Sequence, residues 1–226
     1  MGKALVHELA AQYPSAQIHA LSRKAQTGFA SNVICNMIDY ECETSISMAV
    51  ELAARDAPLD MVVVTTGILH GDSFGPEKAL KDISAHNLVK LVTANTIVPA
   101  LIAKHFLPHL SRENRSIFAA LSARVGSISD NQLGGWYSYR ASKSALNMII
   151  KTAAIEMARR NPKAIVVGLH PGTVASPLSE PFQRNVAQRE LFTAAYSASQ
   201  LVRVLEGLEP FQSGKCFAWD GREIEP

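Results

Sequence analysis

The amino-acid sequence predicts an α/β fold, a doubly wound parallel sheet with helices on both faces. Three observations lead there. Short apolar runs alternate with longer segments of helical period along the chain. Two of the runs, Val62-Val63-Val64 and Ile165-Val166-Val167, are apolar at consecutive positions, as expected of strands covered on both faces. The longer segments also close on residues that cannot continue a helix.

Taken in order, the strand-like runs are residues 17–22, 32–38, 61–65, 116–121, 164–169 and 215–219. Between them lie helical segments at 3–12, 45–55, 86–109, 139–160 and 190–207. Thr44 or Ser45 is suited to cap the segment beginning at 45, because a side-chain hydroxyl there accepts from a free amide of the first turn. Pro108 falls near the end of the 86–109 segment, and Asn161-Pro162 closes the 139–160 segment. There is no repeat, low-complexity tract or linker, so residues 1–226 read as one domain.

The chain is 47% hydrophobic and 19% charged with a net charge of +2, ordinary values for a globular domain with a large core. Acids and bases are interspersed, with no basic block interleaved with aromatics, which argues against a nucleic-acid partner. The apolar runs are of strand length, too short to span a bilayer, and no secretory leader is visible. Three cysteines, Cys35, Cys42 and Cys216, are odd in number and lack metal-ligand spacing. Reduced thiols in a cytoplasmic protein are the expectation. The seven histidines are scattered without a companion motif, so no metal site is expected.

In an open parallel sheet ligands bind beyond the carboxyl ends of the strands. Ser22-Arg23-Lys24 follows the first run and carries no carboxylate to repel a 2′-phosphate. Arg23 either binds such a phosphate or is a solvated surface arginine. Asp39-Tyr40 follows the second run, either against an adenine or as a turn former. Thr66 and Gly67, in Thr65-Thr66-Gly67, follow the third run, where glycine permits either close approach of a flat ligand or a plain turn. Ser122 follows the fourth run, and its hydroxyl is placed to donate to a developing alkoxide. After the fifth, Pro171-Gly172 makes a rigid turn, and the Val174 backbone and Ser176 hydroxyl are suited to a carboxamide. Asn95 is polar within an apolar helix, as a packing residue or as the anchor of a proton-relay water.

Tyr139 and Lys143 lie four apart at the start of a helix and therefore share a face. A cation beside the phenol is expected to lower its pKa, by ~1–3 units for a close pair, toward a useful proton donor or acceptor.

With these residues the chain resembles the short-chain dehydrogenases/reductases over essentially its whole length, with a Rossmann-like fold. Arg124-Val125-Gly126-Ser127-Ile128, Gly135-Trp136-Tyr137-Ser138-Tyr139-Arg140-Ala141-Ser142-Lys143, His170-Pro171-Gly172-Thr173-Val174 and Phe217-Ala218-Trp219-Asp220-Gly221 are similar to the C-factor/sniffer-type branch. The resemblance implies a carbonyl/alcohol oxidoreductase favouring NADP(H) over NAD(H), with a small-molecule substrate. It implies Tyr139 as acid-base residue and Lys143 holding the nicotinamide ribose. Ser122 would polarise the carbonyl, and Asn95 would support a water path. It also implies a homodimer or homotetramer through the 86–109 and 139–160 helices, and a substrate pocket covered by 178–190, with Phe182, Gln183 and Arg184.

Three departures stand out. The family opens with a strand and a T-G-x-x-x-G-x-G loop, whereas Gly2 here matches only its last glycine, so a truncated form of a longer protein is expected. In the strand order 3-2-1-4-5-6 the absent strand is central, leaving an empty lane beside 17–22 and 61–65 unless the flanking strands pair directly. Ala123 stands where the second of two serines is usual, and Thr65-Thr66-Gly67 replaces N-N-A-G. Rival readings are a non-catalytic signalling protein or inactive fragment on the same scaffold, and an epimerase or dehydratase.

Overall fold

A computed structural model describes residues 1–185 and 191–226. Strands β1 (Ile18–Ser22) and β2 (Val33–Met37) pair in parallel as a sheet of their own. A second sheet runs β3 (Met61–Val64), β4 (Ser116–Leu121), β5 (Ala164–His170), β8 (Cys216–Ala218) and β9 (Glu223–Ile224). Its pairs are parallel except the last, a β8–β9 hairpin. A short parallel pair, β6 (Thr173–Val174) with β7 (Leu191–Phe192), lies beyond β5. The sequence does not mark β6, β7 or β9, which are two residues each and too short for a period to show.

Both faces of the sheet are covered, and the strand period shows how. In β4, Ile117, Ala119 and Leu121 join Leu5 of α1 (Gly2–Gln12) and Leu201 and Leu205 of α6 (Ala194–Gly207) in one core. The alternate residues Phe118 and Ala120 join Ile46 and Val50 of α2 (Glu43–Ala53), Ile102 of α4 (Val98–Phe106) and Leu146 and Ile150 of α5 (Tyr137–Arg160) in the other. The strand is buried along its whole length.

The expected empty lane is present. β1 and β3 do not pair, and both line a cavity of about 790 Å³ with α1 and Tyr40. The alternative in which the flanking strands close directly is not what the chain adopts. At the top of the lane, a Cβ on Gly2 would lie 2.7 Å from Thr65 Oγ1, so only glycine lets α1 start against the end of β3.

Two local expectations are corrected. The helix expected at 45 starts at Glu43 with Cys42 as its N-cap, so Thr44 and Ser45 lie inside its first turn. The Ser45 hydroxyl accepts from the Asp39 amide instead. The 86–109 segment is a continuous helical stretch in three parts: α3 (Ala85–Val92), a π-helical turn (Thr93–Ile97) and α4. Pro99, with no amide to donate, lies two residues past that turn, and a π-turn is one way a helix absorbs the lost bond. The 25 residues Ala85–His109 are long and apolar enough to cross a membrane by composition, contrary to the sequence reading of apolar runs. Half of that stretch is buried within the fold, where it packs on α2 and α5 as a core helix. The last helix starts at Ala194; residues 186–190, including the start expected at 190, lie outside the described residues.

Candidate active site

The first two turns of α5 carry Tyr139 and Lys143 beneath the carboxyl end of β4. Both side chains are buried, and Lys143 Nζ lies 5.9 Å from the centre of the Tyr139 ring. The ammonium donates to the Leu121 carbonyl at 2.8 Å, which fixes it against the strand end. Asn95, wholly buried in the π-turn, ties three elements together. Its Oδ1 accepts from the Ile68 amide at 2.8 Å, and its Nδ2 donates to the Ile68 carbonyl at 2.9 Å and to Ser142 Oγ at 3.0 Å. The loop after β3 is thereby held to α5. Gly67 sits inside this clamp: a Cβ there would lie 3.3 Å from Asn95 Oδ1 and 3.5 Å from Lys143 Nζ. Thr66 Oγ1 beside it is buried with no partner among the described residues.

The titration behaviour differs from the sequence expectation. Burial pushes the Tyr139 phenol up to about 12 and the Lys143 ammonium down to about 8. Desolvation outweighs the cation because the ammonium is spent on a carbonyl rather than on the phenol oxygen. At neutral pH Tyr139 is therefore an undissociated donor.

The other loop residues follow the carboxyl ends of their own strands. Pro171 and Gly172 follow β5, with Gly172 at φ 74°, where a side chain would strike the Phe192 ring. The Pro171 carbonyl accepts from Ser197 Oγ at 2.7 Å. Val174 is buried, its carbonyl accepts from Ser179 Oγ, and Ser176 Oγ faces Ser179 Oγ at 3.5 Å. Ser22 Oγ closes the turn onto the Lys24 carbonyl, leaving Arg23 exposed. Asp39 is exposed and accepts from the Glu41 amide at 2.9 Å, so its turn-forming role is realised. The Tyr40 phenol donates to the Leu21 carbonyl at 3.0 Å; burial raises its pKa, and the Arg23 guanidinium opposes this.

Residues matching the family model described as short chain dehydrogenase run from 1 to 187. The chain belongs to the short-chain dehydrogenase family. C-signal of Myxococcus xanthus is 29% identical over 167 residues, covering 74% of this chain and 92% of that protein. The 1-hydroxy-2-glutathionyl-2-methyl-3-butene dehydrogenase of Rhodococcus sp. (strain AD45) is 26% identical over 189 residues, 83% of this chain and 78% of that one. Among solved structures, carbonyl reductase Sniffer of D. melanogaster matches with a TM-score of 0.84 at 23% identity, over 100% of this chain and 94% of that chain. The NADPH-bound carbonyl reductase from chicken fatty liver matches equally well at 22% identity. At those identities the structural likeness speaks for the fold.

As a short-chain dehydrogenase the protein is an oxidoreductase, and the hydroxyl of one expected site residue, Ser122, is taken up by a neighbour within the chain. Ser122 Oγ donates to Asn147 Oδ1 at 2.6 Å. Asn147 is eight residues beyond Tyr139 on the same helix, ~12 Å along its axis. The Ser122 hydroxyl is thus engaged by Asn147, while Ala123 packs in the cluster containing Tyr139, Leu69 and Leu91. Sequence reasoning missed Glu77 and gave Trp136 no role beyond the family motif, while Phe182 was expected over the substrate pocket. The Trp136 ring lies 6.2 Å from Tyr139 and 5.0 Å from Phe182, forming an aromatic wall over the phenol. The large cavity between β1 and β3 does not include Tyr139 or Lys143.

Proposed function

We propose that this chain is an NADP(H)-dependent oxidoreductase interconverting a carbonyl and an alcohol, with Tyr139 exchanging the proton. The observation that carries the reading is the buried Tyr139–Lys143 turn, clamped through Asn95 and Gly67 at the carboxyl end of the sheet. A nicotinamide cofactor fits the residues at its two ends. Gly67, Lys143, Pro171, Gly172, Val174 and Ser176 would seat the nicotinamide ribose and carboxamide, and the unpartnered Thr66 hydroxyl awaits a polar group. Ser22 and exposed Arg23, with Asp39 and Tyr40 across from them, would take the adenosine and its 2′-phosphate. Gly2 at the start of α1 is the part of a diphosphate cradle that is present.

The cofactor supplies a hydride; the chain supplies position and a proton. Tyr139, held neutral by burial, donates to the substrate oxygen, and the Lys143 charge stabilises the phenolate that follows. Asn95 holds the helix break from which a water returns the proton. The phosphorylated cofactor is favoured by Arg23 and by related folds solved with NADPH, in chicken fatty liver carbonyl reductase, and with NADP, in a Burkholderia multivorans protein. The apolar cluster of Leu69, Leu91 and Ala123 beside Tyr139 suits an apolar carbonyl compound.

Outward-facing Val89, Ile97, Met148, Ile149 and Ile155 on the α3–α4 stretch and α5 fit a homodimer or homotetramer. Reduced thiols fit a cytoplasmic setting. The rival reading, a non-catalytic protein on this scaffold, draws support from Ala123 at the position facing the phenol. NADPH fluorescence on mixing, followed by oxidation at 340 nm with a panel of aldehydes and ketones, separates the two. Turnover that disappears in Tyr139→Phe while NADPH still binds is the expected result; binding without turnover of any carbonyl favours the rival.

A further inference from the structure

We propose that Glu77 is a positioning residue for Tyr139, an inference that rests on reading Tyr139 as the proton donor. Helix α5 begins at an unusual residue. Its N-cap is Trp136, at φ 53° the one non-glycine with positive φ among the described residues. An N-cap side chain ordinarily accepts from the first-turn amides, but indole is only a donor, and Trp136 supplies no cap. The acceptor comes from elsewhere in the chain. Glu77, 7% exposed, accepts from the Ser138 amide through Oε2 at 3.2 Å and from Ser138 Oγ through Oε1. Its main-chain carbonyl accepts from the Trp136 amide at 2.6 Å. One residue thus grips α5 on both sides of position 137, by carboxylate and by backbone. Among the described residues no basic side chain pairs with that carboxylate, so its partners are the helix amide and hydroxyl. An acid at a helix N-terminus is favoured by the macrodipole as well.

The consequence falls on the next residue. Tyr139 follows Ser138 directly, and the left-handed turn that Glu77 holds aims the Trp136 ring at the phenol. The approach is close enough that Gly135, at φ 64°, would carry a Cβ 3.4 Å from the Glu77 carbonyl. The loop bearing Glu77 also begins at Gly67, against Lys143 and Asn95. A single loop therefore sets both ends of the Tyr139–Lys143 turn, the lower end through Asn95 and the upper end through Glu77. Without Glu77 the first turn of α5 loses its cap and Tyr139 its fixed distance to the substrate.

Steady-state kinetics with NADPH and 4-nitrobenzaldehyde tests this. Glu77→Ala should lower kcat on the order of 10²-fold, the scale of a misplacement of about 1 Å, with KM for the aldehyde and Kd for NADPH within about twofold. Glu77→Gln, which keeps an acceptor for the Ser138 amide, should recover most of kcat. Should Glu77→Ala not fold, Ser138→Ala carries the test with an expected loss of about tenfold, since one of the two carboxylate bonds goes. Unchanged kcat in the folded Ala variant overturns the proposal, as does an equal loss in Gln and Ala variants. The ¹⁹F resonance of 3-fluorotyrosine at position 139, assigned with Tyr139→Phe, reads its environment without turnover. A chain that reduces no carbonyl with NADPH defeats the functional reading, whereas an unshifted resonance in Glu77→Ala defeats the positioning role.

Discussion

Filling the lane between β1 and β3 should stabilise this protein by a large and measurable amount. Parallel strands direct main-chain groups of alternate residues to opposite sides. Ile18 donates to Asn32 and Ser22 accepts from Ile38, so His19 and Leu21 face the lane; Asp60 accepts from Ile117, so Met61 and Val63 face it from the other wall. Of those groups the Leu21 carbonyl is met, by the Tyr40 phenol. An apolar strand of about five residues joined to Gly2 by a glycine-rich turn would run parallel to both walls, because α1 starts at the carboxyl end of β3. New main-chain bonds of ~0.5–1.5 kcal/mol each roughly offset ~1–2 kcal/mol per residue of ordering. The net gain comes from side chains: three buried Val or Ile contribute about 5 kcal/mol. At ~2–4 °C per kcal/mol for a domain of this size, the midpoint should rise by roughly 10–20 °C. The assay is thermal unfolding of the extended chain beside a control with proline at the strand centre, together with hydrogen exchange at His19, Leu21, Met61 and Val63. The extended chain should also bind NADPH more tightly by calorimetry, since the turn restores amides for the diphosphate. If the extended and proline-bearing chains melt alike and those four amides exchange alike, the lane is not a strand site.

Three further outcomes follow from the site and its surroundings. Carbonyl reduction should fall as pH rises through about 8, where buried Lys143 loses its proton, while Tyr139, at about 12, stays neutral; a pH–kcat profile reads this directly. Burial and the Arg124 charge lower His170 to about 4, so between there and its ordinary 6.5 the unfolded chain binds the extra proton. Stability should therefore decline as pH falls through that window, by at most ~3 kcal/mol, and His170→Asn should flatten the urea midpoint against pH. Ala123→Ser, placing a hydroxyl in the cluster that holds Tyr139, should raise kcat by on the order of tenfold or more, whereas Ser122→Ala should cost less than a lost oxyanion donor's ~2.7–4 kcal/mol.

Most of the fold was legible because its periods are long and its strands apolar throughout. The six expected strands and five helices appear within a few residues of their expected ends, and Phe118 against Ile117 shows the alternation that divides the two cores. The empty lane was legible as well, from the match of Gly2 to the last glycine of the family's loop. What the sequence obscured were features set by tertiary contact. A capping residue normally lies next to its helix, so nothing local to Trp136 pointed to Glu77, fifty-nine positions upstream of it. Likewise the π-turn at Thr93–Ile97 follows from Pro99 together with the demands of Asn95 on Ile68 and Ser142.

The serine shows the limit most clearly. A hydroxyl at position 122 satisfies a rule about composition, that a donor should follow the fourth strand. Catalysis asks for direction, and direction at a strand end changes with each residue. Ser122 spends its hydroxyl on Asn147, so under the proposed mechanism the carbonyl oxygen of a bound substrate would rely chiefly on Tyr139. A site with one polarising donor gains most from holding that donor still. The Asn95 clamp below and the Glu77 grip above are placed to do so, and they make the geometry of α5's first turn the feature on which activity depends.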